Sequence, residues 1–213
     1  MDNPTTYLDA LLERTENNIR TTVIEQLGTH PTVQTFISLM TATMETANRL
    51  SECLSEIFPA ESPLACKAGC DVCCSRTKIQ TQPAFAIYAL YHAKTTAGGA
   101  PYRNALRRLE KRGADCPFLE NSVCSIYPAR PVVCRLYHSF DLTLCLKREC
   151  IKNPTMATCG LIAAAKGLED GLKALSLDCN DIALHKALML LTSEEGVAEK
   201  WLNGQEVFAR CRI

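Results

Sequence analysis

The sequence lacks a long apolar segment, and its charges are evenly balanced. No apolar run approaches the roughly 18 residues of a membrane-spanning helix, so we expect no membrane contact. Lysine and arginine together number 23, as do aspartate and glutamate, which gives a formal net charge of zero. Because nucleic-acid binding depends largely on a positively charged surface, this balance argues against a nucleic-acid partner.

Two short sequence signals are also missing. The first residues, Met-Asp-Asn-Pro-Thr-Thr-Tyr, lack the basic and apolar regions of a secretory signal, so we expect a cytoplasmic protein. The chain has no glycine-rich nucleotide loop of the G-x-G-x-x-G type. In the cytoplasm thiols stay reduced, and there a cysteine pattern indicates metal binding or catalysis more often than disulfides.

The spacing of apolar residues favours helices. No segment alternates apolar and polar residues as a half-buried strand does, so we predict an all-α fold. Within residues 1–60, two runs carry apolar side chains at three- and four-residue steps, and Gly28-Thr-His-Pro31 separates them. This pattern predicts an N-terminal helical hairpin as the first domain.

The apolar stripes of this hairpin have two interpretations. Most amphipathic helix faces pack against the rest of the same fold, and we expect that here. The alternative is that the hairpin docks a protein partner or a second copy of the chain, which would make the protein a homodimer.

Residues 61–213 are predicted to form the second domain, a compact helical domain whose core motif spans 66–145. We expect one helix with Pro83 in its first turn and a basic helix over 102–112. Residues 114–150 contain several prolines and cysteines, which predicts a loop-rich, metal-organised segment with little regular structure.

The feature that carries chemistry is a cysteine array. Of the 13 cysteines, eight fall within the core motif. These are Cys66, Cys70, Cys73, Cys74, Cys116, Cys124, Cys134 and Cys145. Closely spaced thiolates bind zinc or iron–sulfur clusters, usually four to a site. The array therefore predicts either two four-cysteine sites or one site with spare thiols.

The first four cysteines stand at helical spacing, so a helix that buries four small thiols is an alternative. Gly69 and the charged neighbours of these cysteines argue against that helix. The adjacent pair Cys73 and Cys74 is informative, because adjacent residues rarely point at one ion. We expect the pair to serve different ions or different shells of a site.

Basic and aromatic residues accompany the array. A four-thiolate zinc unit carries a formal charge of about −2, which a buried site must compensate. Arg130 and Arg135 flank Cys134, and we expect at least one of them to act beside the site. Tyr127 is expected to pack on the site or to donate a hydrogen bond to a sulfur, and His138 to be structural.

The remaining cysteines carry less signal. Cys150 and Cys159 follow the array closely and are candidates to replace a ligand, so their role stays open. Cys53, Cys179 and Cys211 lie among apolar residues and are predicted to be packing cysteines.

The ordered motifs C-x3-C-x2-CC, CPFL and C-x-I-Y-x-x-R-P-x-x-C-R resemble the YkgJ-type cysteine-cluster family over residues 62–150. That family is described as a zinc- or iron-chelating domain. The resemblance implies that seven cysteines are metal-site residues, namely Cys66, Cys70, Cys73, Cys74, Cys116, Cys124 and Cys134. Cys145 resembles the last cysteine of the family at a looser spacing.

These observations predict a metal-binding protein with a structural or redox-sensing site. Eight thiols without nearby acidic ligands favour an iron–sulfur cluster, of the [4Fe–4S] type, over zinc. The alternative is an enzyme, since the resemblance extends to flagellin lysine N-methylases, which carry a similar cluster and are proposed to use S-adenosylmethionine. A metal chaperone or store is the third hypothesis.

Overall fold

The computed structural model describes residues 4–60, 64–66, 69–76, 78–111, 116–137, 139–147 and 155–213. Helices dominate these residues, which confirms the all-α prediction. The helices are α1 (Pro4–Thr29), α2 (Val33–Ile57), α3 (Val72–Arg76), α4 (Pro83–Thr95), α5 (Ala100–Glu110), α6 (Val132–Leu136), α7 (Leu142–Leu146), α8 (Met156–Ala174), α9 (Leu184–Ser193) and α10 (Val197–Leu202). Short 3₁₀ turns cover Thr96–Gly99, Tyr127–Ala129 and Ala209–Cys211.

Strands are confined to two-residue segments. These are β1 (Gln80–Thr81), β2 (Leu119–Glu120), β3 (Val123–Cys124) and β4 (Ile182–Ala183). β1 pairs with β4 and β2 pairs with β3, both antiparallel. The β2–β3 pair is a local hairpin, whereas the β1–β4 pair joins distant parts of the chain. Neither pair builds a sheet layer.

The described chain forms two compact units. The first contains Met1–Glu61, Pro154–Cys179 and Glu199–Gln205, and the second contains Ser62–Asn153, Asn180–Ala198 and Glu206–Ile213. The predicted domain division into 1–60 and 61–213 stays a prediction. The first unit contains the N-terminal hairpin together with later parts of the chain.

In the first unit, α1 and α2 both pack against α8. The connection between α1 and α2 is only three residues long, and Thr32 caps α2 by accepting a hydrogen bond from the Thr35 amide at 3.1 Å. The apolar stripes of both helices are largely buried, as the packing interpretation expected. A partner or homodimer contact through the hairpin stays a prediction.

Close approach between α8 and α1 depends on glycine. A Cβ placed on Gly171 would lie 2.6 Å from Val23 Cβ, and one on Gly167 would overlap the backbone carbonyl of Glu16. Lys166 forms an ion pair with Glu16 beside this contact. Because interiors are close-packed, neither glycine can be replaced without moving a helix.

In the second unit, α4 packs against α5 and α9. The helix begins at Pro83, so Pro83 lies in its first turn as predicted, and the helix is buried along most of its length. The basic helix predicted over 102–112 occurs as α5. The β1–β4 pair and a 2.9 Å hydrogen bond from the Leu184 amide to the Ile79 carbonyl hold the start of α9 beside the segment that precedes α4.

The cysteine-rich segment of the second unit is loop-rich, as predicted. Within its described residues, helices α3, α6 and α7 are only five residues long and the β2–β3 hairpin has two-residue strands. Elements this short are not stable alone.

Among the helices that the structure describes, none combines the length and the hydrophobicity that a membrane span requires.

We predict that Gly167→Ala destabilises the protein by about 1–3 kcal/mol, because the added methyl group meets backbone that cannot rotate away. The measurement is urea-induced unfolding of the full chain. The matched control is Gly28→Ala in α1, whose Cβ would have Leu175 Cδ2 as its nearest neighbour at an ordinary 3.6 Å. The control should be as stable as the native protein or more so. Equal stability of both variants would contradict the packing described here.

Candidate metal centre

The first cysteine group does not lie on one continuous helix. Gly69 has a φ of 87°, in the left-handed region that interrupts a right-handed helix. Only Cys73 and Cys74 lie within α3, and all four cysteines of the group are partly exposed. The alternative of a helix that buries four thiols in the core is therefore wrong.

The adjacent thiols of Cys73 and Cys74 stand close together. Their sulfur atoms are 3.9 Å apart. With a zinc–sulfur bond of about 2.3 Å, two ligands of one tetrahedral ion are separated by about 3.8 Å. The observed spacing therefore matches one edge of a tetrahedral thiolate site, and the chemistry of the donors suits zinc or iron.

Hydrogen bonds fasten α3 to the next cysteine segment. The Cys116 amide donates to the Cys74 carbonyl oxygen at 2.8 Å. The Ser122 hydroxyl donates to Oδ2 of Asp71, also at 2.8 Å. Ser122 belongs to the two-residue turn between β2 and β3, so the whole hairpin is held against the start of α3.

The turn that presents Ser122 depends on unusual backbone angles. Asn121 and Ser122 have φ values of 49° and 62°. Two successive left-handed residues are typical of the tight turn that matches the twist of a β-hairpin. In the pairing that follows, Cys124 lies opposite Leu119. The turn therefore sets the register that places Cys124 beside Leu119, three residues after Cys116.

Three thiols in this region, those of Cys116, Cys124 and Cys134, are partly buried and repel one another when ionised. Burial raises the pKa of Cys116 to about 11, and the nearby charges of Cys124 and Cys73 add to that effect. Burial likewise raises the pKa of Cys134, in α6, to about 12, with further contributions from Cys116, Cys124 and Cys73. Burial also raises the pKa of Cys124.

The thiols of Cys73 and Cys74 are within hydrogen-bond distance of each other. This hydrogen bond lowers the pKa of Cys73 and raises the pKa of Cys74. Cys116 and Cys134 also raise the pKa of Cys74. These five cysteines, from α3, the hairpin and α6, are therefore mutual electrostatic neighbours.

Cys66 has a different set of electrostatic neighbours, which are Cys70, Cys145 and Cys73. The Ser139 amide donates to Cys66 Sγ at 3.2 Å, and the Ala65 amide donates to the Ser139 carbonyl at 2.8 Å. Burial raises the pKa of Cys66, the Ser139 hydrogen bond opposes this, and Cys70, Cys145 and Cys73 raise it further. Cys145 lies in α7, which contacts α3.

The predicted cofactor-binding residues lie beside the thiols. The Arg130 guanidinium stacks 3.9 Å from the centre of the Tyr127 ring. Burial raises the pKa of Cys124 and of Cys134, and the charge of Arg130 opposes both effects. Tyr127 itself is 56% exposed. Arg135 donates hydrogen bonds to the carbonyl oxygens of Pro128 at 2.5 Å and Arg130 at 3.3 Å, so it braces the turn that carries Arg130.

The eight thiols share one region without forming a closed shell. Among the residues that the structure describes, no group of three or more His, Cys, Asp or Glu side chains is arranged to hold a metal ion. Enclosing an ion therefore requires the thiol side chains to move closer. The thiol donors and the Cys73–Cys74 spacing fit a metal ion. The described side chains as a group do not surround one.

Several other predicted residues can be located. Cys159 lies in α8 of the first unit, with its thiol 3.8 Å from the Thr155 carbonyl. Cys179 and Cys211 are buried as predicted, whereas Cys53 is exposed on α2, so its prediction as a packing residue is wrong. Cys150 and His138 lie outside the described residues.

Sequence reasoning missed the residues that fasten the array. Asp71, Ser122 and Ser139 each link two cysteine-bearing segments. Asn121-Ser122 between two short apolar-containing segments is a turn signal that could have predicted the hairpin. Nothing local could have predicted the partners of Asp71 or Ser139, because both bonds join distant parts of the chain.

We expect Asp71→Ala to destabilise the protein by about 1–2 kcal/mol, because it leaves the part-buried Ser122 hydroxyl without its charged acceptor. Asp71→Asn is the control, since its amide oxygen can still accept this hydrogen bond, and it should lose less. Denaturant unfolding of both variants measures the difference. Identical losses would show that the Ser122 bond contributes nothing.

Comparison with known proteins agrees with the resemblance noted from the sequence. Residues 65–159 match the CxxCxxCC family model, whose description is "Putative zinc- or iron-chelating domain". The search of curated proteins and the search of solved structures each gave no significant match. The matched segment contains all eight cysteines of the array and is similar, over just under half of the chain, to the zinc- or iron-chelating domain of the CxxCxxCC cysteine-cluster family.

Proposed function

We propose that this protein binds metal through its clustered cysteines and that the bound metal organises the loop-rich segment between residues 66 and 145. The observation that carries the proposal is the convergence of thiols from separate segments of the chain. The hydrogen bond from the Cys116 amide to the Cys74 carbonyl and the one from the Ser139 amide to Cys66 Sγ both involve the cysteines themselves.

Electrostatics supports the same proposal. Burial and mutual repulsion raise the pKa of Cys116 and Cys134 in spite of nearby arginines, so these thiols resist ionisation. A bound divalent ion supplies the positive charge that lets several thiolates stand together, and its binding free energy becomes folding free energy.

The spacing within the adjacent pair bears on the kind of metal. Two thiols 3.9 Å apart suit a single tetrahedral ion, either zinc or iron. In a four-iron cluster each thiolate binds a different iron, which places the sulfurs farther apart. We therefore propose a mononuclear site at Cys73 and Cys74. An iron–sulfur cluster is the second candidate, supported by a number of thiols that exceeds the four of one tetrahedral site.

Arg130 is proposed to compensate the negative charge of the thiolates. Its guanidinium is held over the Tyr127 ring, and its charge acts on Cys73, Cys124 and Cys134. Arg135 is proposed to keep Arg130 in place through its hydrogen bonds to the turn. In this proposal Tyr127 orients the arginine and binds no metal.

Metal analysis tests the proposed function. Protein purified without oxygen should contain stoichiometric zinc or iron, and an absorption spectrum distinguishes an iron–sulfur cluster from colourless zinc. We expect Cys134→Ser to lower both metal content and melting temperature, because it removes a proposed ligand. Cys53→Ser, at an exposed cysteine of α2, is the matched control and should change neither. A Cys134→Ser protein with full metal content and an unchanged melting temperature would contradict the assignment.

A charge-removal series tests the role of Arg130. Arg130→Met should weaken metal affinity roughly 10–100-fold, the usual effect of losing a partner of the ligands. Arg130→Lys keeps the charge and should lose less. Arg107→Met removes an exposed arginine of α5 and serves as the control for net charge. Competition with a chromophoric chelator gives the affinities, and equal affinity for all four proteins would refute the role.

A further inference from the structure

We propose that this chain associates with a second copy of itself, through the acidic end of α2 in one copy and a basic stripe on α5 in the other. The acidic end of α2 consists of Glu52 and Glu56, and the basic stripe consists of Arg103, Arg107 and Lys111. This inference goes beyond the proposed metal-binding function and does not depend on it.

The zero net charge of the chain conceals two units of opposite charge. The first unit contains 6 basic and 13 acidic residues, a formal net charge of −7. The second contains 17 basic and 10 acidic residues, a formal net charge of +7. A four-thiolate zinc site would change the charge of the second unit by about −2 and leave it clearly positive. Each unit therefore attracts surfaces of the opposite sign.

The basic stripe occupies one face of α5. Its three residues are spaced by four along the helix and its last cap position, which places them on one side at steps of about 6 Å. Arg103, Arg107 and Lys111 are all exposed, and none of them forms an ion pair with a residue that the structure describes. The stripe therefore presents a row of positive charges to solvent.

Two contacts hold positive charge in place where α5 begins. The Arg103 guanidinium donates a hydrogen bond to the Gly98 carbonyl at 2.7 Å. The exposed ammonium of Lys94 lies 5.1 Å from the centre of the Tyr102 ring, which adds a fourth positive charge beside the stripe. Because these groups are already positioned, binding an acidic surface costs less side-chain entropy.

The acidic end of α2 matches the stripe in spacing and sign. Glu52 and Glu56 are also four residues apart and exposed, and within the described part of the chain neither forms an ion pair. The last turn of α2 contains no basic residue, so the negative end of the helix dipole adds to their charge. Ile57, which follows Glu56, is 61% exposed and offers apolar area for a contact to bury.

A second copy is the partner that these charges favour. Both surfaces belong to the same chain, and two whole copies carry no net charge that would repel them. A nucleic acid would be repelled by the acidic first unit. It would also find no row of stacking aromatics on α5, whose one aromatic residue, Tyr102, already lies beneath Lys94. The apolar stripes of the N-terminal hairpin are largely buried, so its exposed acidic end makes the contact.

Sedimentation velocity of the full chain, with its metal as purified, tests the proposal. We expect self-association at about 50 mM salt that is lost at about 500 mM, because salt screens exposed charges. The reversed variants Glu52→Arg/Glu56→Arg and Arg103→Glu/Arg107→Glu should each weaken the association roughly tenfold or more at low salt, because like charges then face each other.

A matched control separates this contact from the net charge of the unit. Asp9→Arg/Glu13→Arg reverses two exposed carboxylates of α1 at the same spacing of four residues. It changes the charge by the same amount as the α2 variant and should stay within roughly twofold of the native association.

Mixing the two reversed variants restores opposite charges across the contact. The arginines of Glu52→Arg/Glu56→Arg then face the glutamates of Arg103→Glu/Arg107→Glu, and the native acidic end and native stripe of the two variants also face each other. We expect the mixture to associate at low salt although each variant alone does not. This recovery also shows that both variants are folded.

Several outcomes would overturn the proposal. A native chain that stays monomeric at low salt would do so without any variant, as would a mixture that fails to associate or an equal loss in the α1 control. Native monomers that bind a fluorescent single-stranded oligonucleotide, and lose it in Arg103→Glu/Arg107→Glu, would assign the stripe to nucleic acid instead. Metal content measured on the same samples reports separately on the proposed function.

Discussion

The hydrogen bonds that hold the β2–β3 hairpin against α3 are the constraint on which the rest of the cysteine array depends. Ser122 and Asp71 are 51 residues apart in the chain, and their bond joins the tip of the hairpin to the start of α3. The Cys116–Cys74 backbone bond joins its base to the same helix. These two contacts hold the hairpin beside Cys73 and Cys74.

Gathering thiols in this way has an electrostatic consequence. Burial raises the pKa of Cys116 and Cys134, and the charges of neighbouring thiolates raise it further, so the group resists ionisation as a whole. Arg130 supplies positive charge and Tyr127 holds it in position. Arg135 acts on Cys124 and Arg108 acts on Cys116, so three arginines face eight thiols, and the array is suited to a further cation. The match of this segment to a zinc- or iron-chelating domain agrees with that chemistry.

Local patterns predicted the elements well, because they depend on nearby residues. Pro83 predicted the start of α4, and the spacing of the cysteines identified the segment that matches a chelating family. Gly69 correctly argued against a continuous helix. Contacts between distant segments could not be predicted, since Ser139 carries no local sign that its amide bonds to Cys66. The same holds for Gly167, whose close approach to α1 depends on tertiary packing.

The most direct test of the central claim is X-ray absorption at the metal edge of the protein as purified. Metal held by these cysteines should have a first shell made only of sulfur, at about 2.3 Å for zinc. A first shell dominated by nitrogen or oxygen, or protein that carries no zinc or iron, would contradict the account.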